Sequence, residues 1–257
     1  MRPTDPRVAD LVQAGQIRTA LFLPQYTKDP VTGELRGLGM GFLALEIARA
    51  LAARLGVEVL VMEHPTPPEA VECLKAGACD VAFLGIEPSR AADVDFSPPV
   101  VQFDYTYLVP AGSPIHSVAD ADRPGARIAV VRNHASSLAL SRIVEQAKLL
   151  GAELPDTAFD ALRAGNADAF AAPREQLLDY CIKLPGSRVL DDSYGINLVG
   201  IAVPKGQAGR LAYISEFIEE AKASGLIAHA IKRGGLRGFQ VALAGKSLPA
   251  RSPAPKS

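Results

Sequence analysis

The chain has 257 residues, of which 48% are hydrophobic and 21% are charged, and its formal net charge is −1 at pH 7. This length allows a large buried core and one or two domains. The small net charge argues against a nucleic-acid partner or an anionic membrane surface, because both select basic clusters. The sequence has no apolar run of about 18 residues, which excludes a membrane-spanning helix.

The first third of the chain predicts alternating strands and helices. Apolar Leu43, Ile47, Leu51 and Leu55 recur every four residues and Gly56 follows them, a pattern typical of a helix and its C-cap. This alternation predicts a parallel sheet with helices on its faces. The predicted elements are a strand at 18–25, a turn-rich loop at 28–37, a helix at 42–56, a strand at 57–63, a helix at 67–77 and a strand at 80–87.

The same alternation then starts again, which predicts a second unit of the same kind. The stretches LKAGACD (74–80) and LRAGNAD (162–168) take the same place in the two units, as a helix end, a glycine cap and the Asp that opens a strand. The second unit is predicted to contain a strand at 126–131, a helix at 135–151, a short helix at 158–165, a strand at 168–172 and a helix at 173–184.

The last quarter predicts a strand at 196–206 and a helix at 211–224, which we expect to pack on the first unit. Two lobes then follow, lobe 1 from residues 17–109 and 196–240 and lobe 2 from residues 110–195. Two chain crossings join them, and ligands collect in such a cleft because strand C-termini and helix N-termini point into it. Residues 241–257 are rich in Pro, Ser and basic residues, which predicts a disordered tail.

The spacing of Cys73, Cys79 and Cys181 predicts neither a disulfide framework nor a zinc site. We expect small buried apolar side chains at these positions, with a redox role as the alternative. The four histidines are scattered, so no metal is expected. GLGMG (37–41) lacks the G-x-G-x-x-G spacing, so no dinucleotide or other cofactor is expected either. The N-terminus has no apolar core of a secretory signal, which predicts a cytosolic protein or a removed leader.

The run GIEPSRAADVDFSPP (85–99) resembles the signature of family 3 extracellular solute-binding proteins, G-x-T-x-x-R-x-x-x-x-x-F-S-x-P. Segments 45–56, 200–206 and 217–233 are similar to other parts of that family, so the resemblance covers roughly residues 17–235. It implies an α/β, two-lobed type II periplasmic-binding-protein fold, in which each lobe is a mostly parallel sheet flanked by helices. It also implies a periplasmic monomer without catalysis, which closes over a small polar organic solute and delivers it to the membrane permease of an ABC importer.

The resemblance implies that Arg90 binds a ligand carboxylate, for which a guanidinium fork is well suited. Two departures bear on the ligand. Glu87 replaces the family's threonine, and Pro173 stands where the family's second lobe supplies an aspartate for the ligand's ammonium group. The solute is therefore hypothesised not to be a standard amino acid, with Glu87 serving a cationic group or Arg174 an anionic one.

The remaining candidate ligand-binding residues lie beside predicted strand ends and at a predicted helix start. Asn133, Ser136 and Ser137 open the second lobe's first helix, where they either hold an oxyanion or simply cap the helix. His134, which lies between them, is not expected to contact the ligand. Three further candidates are Gln25 and Tyr26, which follow the first strand, and Gly85, which opens the signature.

Two rival functions stay open. One is an enzyme on the same fold, similar to cyclohexadienyl dehydratase, with Glu87 as the general acid or base. The other is a cytosolic ligand-sensing module.

Overall fold

The computed structural model describes residues 5–23 and 25–243. Two 3₁₀ turns occur at Pro6–Val8 and Ala119–Ala121. The chain up to the first crossing forms α1 (Ala9–Ala14), β1 (Gln16–Phe22), β2 (Tyr26–Lys28), β3 (Leu35–Gly37), α2 (Met40–Leu55), β4 (Glu58–His64), α3 (Pro67–Lys75), β5 (Val81–Gly85), α4 (Pro88–Ala91), β6 (Val94–Phe96) and β7 (Val101–Val109).

The second unit follows, and the chain then crosses back. The second unit forms β8 (Arg127–Val131), α5 (Ala135–Leu140), β9 (Lys148–Ala152), α6 (Pro155–Arg163), β10 (Ala169–Pro173), α7 (Arg174–Ile182) and β11 (Arg188–Val189). The returning segment forms β12 (Gly195–Pro204), α8 (Ala208–Ala223), α9 (Leu226–Arg233) and β13 (Gln240–Val241). None of the described helices combines the length and the apolar character needed to cross a membrane.

A single large sheet runs through both lobes, with the strand order β4-β1-β5-β12-β7-β10-β8-β9. In lobe 1, β1 pairs in parallel with β4 and β5; in lobe 2, β8 pairs in parallel with β9 and β10. The central strands β12 and β7 are antiparallel to each other and to their outer neighbours. The sheet confirms the predicted α/β, two-lobed fold with mostly parallel pairing in each lobe.

Strands β7 and β12 are the two connections between the lobes. They pair along five positions, from Gly195 with Tyr105 to Val199 with Val101. The lobe limits stated above stay a prediction. The predicted disordered tail begins at Val241, but Val241 belongs to β13 and pairs with Val101 of β7. Residues 244–257 lie outside the described part of the chain.

Helices cover both faces of the sheet because the strand side chains alternate between two apolar sides. In lobe 1, Ile17 and Leu21 join the core under α2, while Ala20 and Phe22 join the smaller core under α3. The predicted stripe of α2 is confirmed, with Leu43, Ile47 and Leu51 almost fully buried. Burying one such side chain contributes about 1.5–3 kcal/mol. In lobe 2, α6 and α7 cover one face of the sheet and α5 packs on the other.

The repeated heptapeptides form the same junction in each lobe. Asp80 accepts hydrogen bonds from the backbone N–H of Arg18 at 2.8 Å and from its guanidinium at 2.8 and 2.9 Å. Asp168 binds Arg127 in the same way, at 2.8 Å to the backbone and 2.9 and 3.2 Å to the guanidinium. Each Asp therefore ties the start of its own strand to the neighbouring parallel strand.

The predicted helix at 135–151 is wrong beyond its first turns. Helix α5 ends at Leu140, and residues 148–152 form β9 beside β8. The carboxylate of Asp122 accepts hydrogen bonds from the backbone N–H groups of Glu145, Gln146 and Ala147 at 2.8–2.9 Å. These groups cannot then join a helical ladder, so tertiary contacts override the apolar spacing.

The expectation that the cysteines are free is also wrong for two of them. Cys73 and Cys79 form a disulfide, with Cα atoms 5.3 Å apart, and Cys181 is free. The chain reverses at Gly77 (φ +68°), and the N–H of Cys79 donates to the carbonyl of Cys73 at 3.2 Å. This helix-end turn brings the two thiols together, although their spacing alone gives no such signal.

Candidate functional site

A cavity of about 300 Å³ lies between the two lobes. This volume is at the lower end of the range for ligand pockets and suits a small organic solute. The chain at the ends of β1 and β5 lines it from lobe 1, the start of α5 and one face of α7 line it from lobe 2, and β7 and β12 form its floor. Its charged lining residues are Arg90, Glu175, Asp179 and Lys183, and its aromatic lining residues are Phe22, Phe83, Phe103, Tyr105 and Tyr180.

Arg90 places a buried positive charge in the cavity wall. Its side chain donates to the carbonyls of Gly85 at 3.1 Å and Asn133 at 2.9 Å, one from each lobe. Within residues 5–23 and 25–243, no carboxylate forms a salt bridge with it. Burial lowers the pKa of Arg90, and the nearby charge of Glu87 acts in the opposite direction. A guanidinium stays protonated in proteins, so this site favours an anionic group on a ligand.

Two carboxylates of α7 line the cavity, and Glu175 is the more buried of them. Burial raises the pKa of Glu175 to about 8, its own backbone N–H acts against this, and the charges of Asp179 and Asp104 add to the rise. Glu175 and Asp179 stand four residues apart on α7, so both carboxylates face the cavity from one side of the helix. A cation in the cavity would favour the ionised form of Glu175.

His134 and Tyr105 add polar atoms to the apolar wall. Burial lowers the pKa of His134 to about 4, and the positive charge of Arg90 acts in the same direction. His134 is therefore neutral at pH 7 and packs edge-on against Phe22. The hydroxyl of Tyr105 is buried without a hydrogen-bond partner among the described residues. An unpaired buried hydroxyl costs about 1–3 kcal/mol, so a ligand acceptor or donor there would be stabilising.

The structure brings four of the nine predicted ligand-binding residues to the cavity. Gln25, Gly85, Arg90 and Ser136 line it. Gln25 is held in place because its side-chain amide donates to the carbonyl of Phe83 at 3.4 Å. Gly85 is needed where it stands, since a Cβ atom there would lie 2.7 Å from the Cβ of Ala135.

The other five predicted residues lie outside the cavity lining. Glu87 is buried and forms an ion pair with Arg142 of lobe 2. Asn133 serves through its backbone carbonyl, which accepts from Arg90, and the hydroxyl of Ser137 donates to the carbonyl of His134. Tyr26 packs in the β2–β3 hairpin against the lobe 1 core.

Arg174, the remaining predicted residue, is fully engaged by protein groups. Its guanidinium pairs with Asp104 at 2.7 Å and donates to the carbonyls of Leu190, Asp191 and Asp192 at 2.6–3.1 Å. It therefore joins α7 to the chain before β12 and is not available to an anionic ligand group.

Sequence reasoning missed the face of α7 that lines the cavity. Glu175, Gln176, Asp179 and Lys183 repeat at helical spacing directly after β10. The position of α7 in the chain could have indicated these residues. The helix starts at the carboxyl end of β10, and ligand sites of α/β proteins lie at the carboxyl ends of strands. The first of these carboxylates stands only two residues after Pro173, the position considered for the ammonium group.

Two α/β lobes with a cavity between them, lined by aromatic side chains and a few charged groups, are the architecture of small-solute binding proteins of the type II periplasmic fold. Residues 28–234 match the sequence profile of the bacterial extracellular solute-binding proteins, family 3, and the chain belongs to that family. The resemblance seen in the sequence is thereby confirmed.

Several relatives show how the chain compares with proteins of stated function. It is 29% identical over 206 residues to the glutamine-binding protein of an ABC transporter from Bacillus subtilis (strain 168), covering 77% of this chain and 72% of the relative. It matches the crystal structure of an ancestral amino acid-binding protein, AncCDT-1, a precursor of cyclohexadienyl dehydratase, with a TM-score of 0.73, 25% identity and coverage of 88% and 97%. It matches the solute receptor for L-cysteine of Neisseria gonorrhoeae with a TM-score of 0.75, 24% identity and coverage of 90% and 94%, a likeness that shows the fold alone.

Proposed function

We propose that this chain is the solute-binding component of an ABC importer and that it captures an amino-acid-like solute between its lobes. The observation that carries the proposal is Arg90, a buried cation in the cavity wall whose protein partners are two backbone carbonyls. A ligand carboxylate would give this guanidinium the anionic partner that the described residues do not provide. Two parallel hydrogen bonds from the guanidinium would also fix the orientation of the carboxylate. Arg90 also donates a hydrogen bond to the carbonyl of Asn133 in the opposite lobe. The same residue can therefore bind the ligand's anion and hold the two lobes together.

Glu175 supports a second contact, to an ammonium group. It lines the same cavity as Arg90, and the cost of ionising it there falls when a cation binds nearby. The hypothesis that the solute is not a standard amino acid rested on Pro173 and on Glu87. Glu175 offers the carboxylate that Pro173 lacks, and Glu87 is paired with Arg142 outside the cavity lining, so both departures leave room for an amino acid. The aromatic walls then suit the apolar part of a side chain.

The importer's permease and the extracellular or periplasmic side of the membrane are parts of this proposal. Family membership and the ABC transporter relative support them. We further propose that the protein acts as a monomer, has no nucleic-acid partner and performs no chemistry on the solute. Closure follows from the ligand's better contacts in the closed form, since Arg90 contacts both lobes.

A thermal-shift screen with the twenty amino acids, organic acids and polyamines, followed by calorimetry, tests the proposal. A ligand at about 100 times its dissociation constant stabilises the protein by about 2.7 kcal/mol. Arg90→Gln should abolish binding of the best amino acid, whereas Arg36→Gln, an exposed cation in the β2–β3 hairpin, should leave it unchanged. Polyamines binding while every amino acid fails to bind would refute the proposal.

One observation favours a second function, an enzyme on the same fold. Burial raises the pKa of Glu175 to about 8, which favours its protonated form at neutral pH, and the residue lines the same cavity as Arg90. Such a carboxylic acid can protonate the hydroxyl of a bound carboxylate substrate, which leaves as water while the substrate's C–CO₂⁻ bond breaks, releasing CO₂ and forming the new double bond. Glu87, the acid considered from the sequence, does not line the cavity and is paired with Arg142.

Turnover of hydroxy-acids of the prephenate type separates the two functions. An enzyme should release water and lose turnover in Glu175→Gln while still binding the substrate. A binding protein should show calorimetric binding of an amino acid and no turnover in either form.

A further inference from the structure

The disulfide of lobe 1 lies beside a histidine. His64 ends β4, and its Nε2 lies 3.7 Å from the Sγ of Cys79. The ligand atoms of His64, Cys73 and Cys79 all lie within 4.8 Å of one another, and this is the one such group of His, Cys and acidic side chains among the described residues. None of the three lines the solute cavity.

The separation of these atoms matches what a metal ion would require. A tetrahedral zinc ion with Zn–S of about 2.3 Å and Zn–N of about 2.0–2.1 Å holds its sulfur and nitrogen ligands about 3.6 Å apart. The observed separation between Cys79 and His64 is already 3.7 Å. The two cysteine Cα atoms, 5.3 Å apart, are fixed by the turn at the end of α3, so both thiols stay on the same side after reduction.

The surroundings favour a soft cation with two thiolate ligands. Cys73 and Cys79 are buried in the apolar core under α3, among Phe22, Ala82 and Leu84. Two thiolates and a divalent cation cancel in charge, so the complex can be buried at lower cost than a free ion. Thiolate and imidazole ligands select zinc and similar soft metals over magnesium or calcium.

We propose that His64, Cys73 and Cys79 form a redox-gated zinc site: a disulfide in the oxidised protein and a Cys₂His ligand set in the reduced protein. Reduction by a dithiol transfers two electrons and two protons to the S–S bond, giving two thiols, while the dithiol becomes a disulfide. Zinc then displaces the two thiol protons, and the Nε2 lone pair of His64 supplies the third protein ligand. The site's fourth position is left to water.

Zinc titration of the full chain in its two redox states tests this. A water-soluble phosphine reduces the disulfide, itself becoming the phosphine oxide with oxygen from water, and is removed under argon. The reduced protein should bind one Zn²⁺ in competition with a chromophoric chelator, and the oxidised protein should bind none. Co²⁺ in place of Zn²⁺ should give thiolate-to-cobalt charge-transfer absorption only after reduction.

Matched variants assign the ligands. His64→Gln leaves the disulfide intact and should weaken zinc binding by the reduced protein about tenfold or more. Cys181→Ser, which removes the free cysteine next to Ser187, should leave binding within about twofold. Unchanged affinity in His64→Gln, or equal affinity of the reduced wild type and a Cys73→Ser/Cys79→Ser double variant, overturns the proposal.

Circular dichroism covers the case in which reduction unfolds the chain. A reduced chain that regains its helical signal on adding Zn²⁺ supports the site. A reduced chain that stays unfolded with Zn²⁺, or one that is folded and binds no Zn²⁺, overturns it.

Discussion

The carboxylate of Glu87 in lobe 1 forms an ion pair with the guanidinium of Arg142 in lobe 2. Glu87 follows β5, and Arg142 follows α5 on the opposite wall of the cleft. The side chain of Glu87 is 8% exposed and that of Arg142 is 48% exposed, so solvent reaches the guanidinium but hardly the carboxylate. Together with the bond from Arg90 to the carbonyl of Asn133, it holds the two lobes in contact.

Removing this pair should favour the open form. Glu87→Gln should weaken solute binding about three- to tenfold, because the pair joins the two lobes and would break if they moved apart. Small-angle scattering of the ligand-free variant should show a larger radius of gyration than the wild type. Glu63→Gln breaks an exposed pair with Lys28 within lobe 1 and is the control. Equal scattering curves for wild type and Glu87→Gln would contradict the role of the pair in closure.

Gly85→Ala should act on the closed form through steric overlap. The added methyl would lie 2.7 Å from the Cβ of Ala135 in lobe 2 and 2.8 Å from Oδ1 of Asn197. Such overpacking costs about 1–3 kcal/mol, which corresponds to about five- to 150-fold in affinity if the lobes move apart to relieve it. Calorimetric titration measures the effect. Gly209→Ala on α8 meets nothing closer than 3.5 Å and should bind like the wild type.

The two repeated junctions should differ in strength. Asp80 is buried and also accepts from Arg210 at 3.3 Å, whereas the side chain of Asp168 is 36% exposed. Asp80→Asn should therefore cost about 3 kcal/mol of unfolding free energy, because it removes a buried anion from half-buried Arg18 and leaves buried Arg210 with Asp10 as its one carboxylate partner among the described residues. Asp168→Asn should cost about 1 kcal/mol or less. Urea denaturation compares the two, and an equal cost would show that burial does not decide the difference.

The pH dependence of stability should report Glu175. Its pKa is about 8 in the folded protein and near 4.5 when unperturbed. Between these values the folded state keeps a proton that the unfolded state releases, so the free energy of unfolding decreases as pH rises from about 5 to about 8. Glu175→Gln should remove this decrease, and exposed Glu153→Gln should not. Urea denaturation at pH 5, 6.5 and 8 measures it; a parallel decline in Glu175→Gln would assign the effect elsewhere.

His134 should give the opposite slope at lower pH. Its pKa is about 4 in the folded protein against 6.5 when unperturbed. The unfolded state binds the proton first as pH falls, so the stability contributed by neutral His134 is present above pH 6.5 and is lost towards pH 4. His134→Gln should flatten this loss. Exposed His116 is the control position, and the same loss in His134→Gln would contradict the assignment.

The alternation β1-α2-β4-α3-β5 of the first unit could be predicted from local patterns, because α2 and α3 carry apolar stripes that also face the core. The β2–β3 hairpin was not predicted, since β3 lies in the stretch predicted as a loop. The second unit defeats the same reasoning at residues 141–152. There the apolar residues fit a helix, but three backbone N–H groups bind Asp122, more than twenty residues away. A contact between distant parts of the chain leaves no periodic signal in a single sequence.

Part of the cavity lining could be predicted, either from the family motif or, for Gln25 and Ser136, from a place at a strand end or a helix start. Arg90 and Gly85 belong to the family signature and line the cavity, whereas the cavity residues of α7 belong to no motif. Arg174 is the opposite case. Its positive charge suggested a ligand contact, but its guanidinium binds Asp104 and three backbone carbonyls instead. Whether an arginine meets solute or protein depends on its three-dimensional neighbours.

Strands β7 and β12 are bonded to each other over five residue pairs, so the two connections bend together rather than separately. Because the two strands are held together by hydrogen bonds, we expect them to act as one hinge and the lobes to rotate about one axis. Fluorescent dyes attached on either side of that axis would convert solute capture into a change in energy transfer. The same ribbon makes this protein a natural scaffold for an optical biosensor.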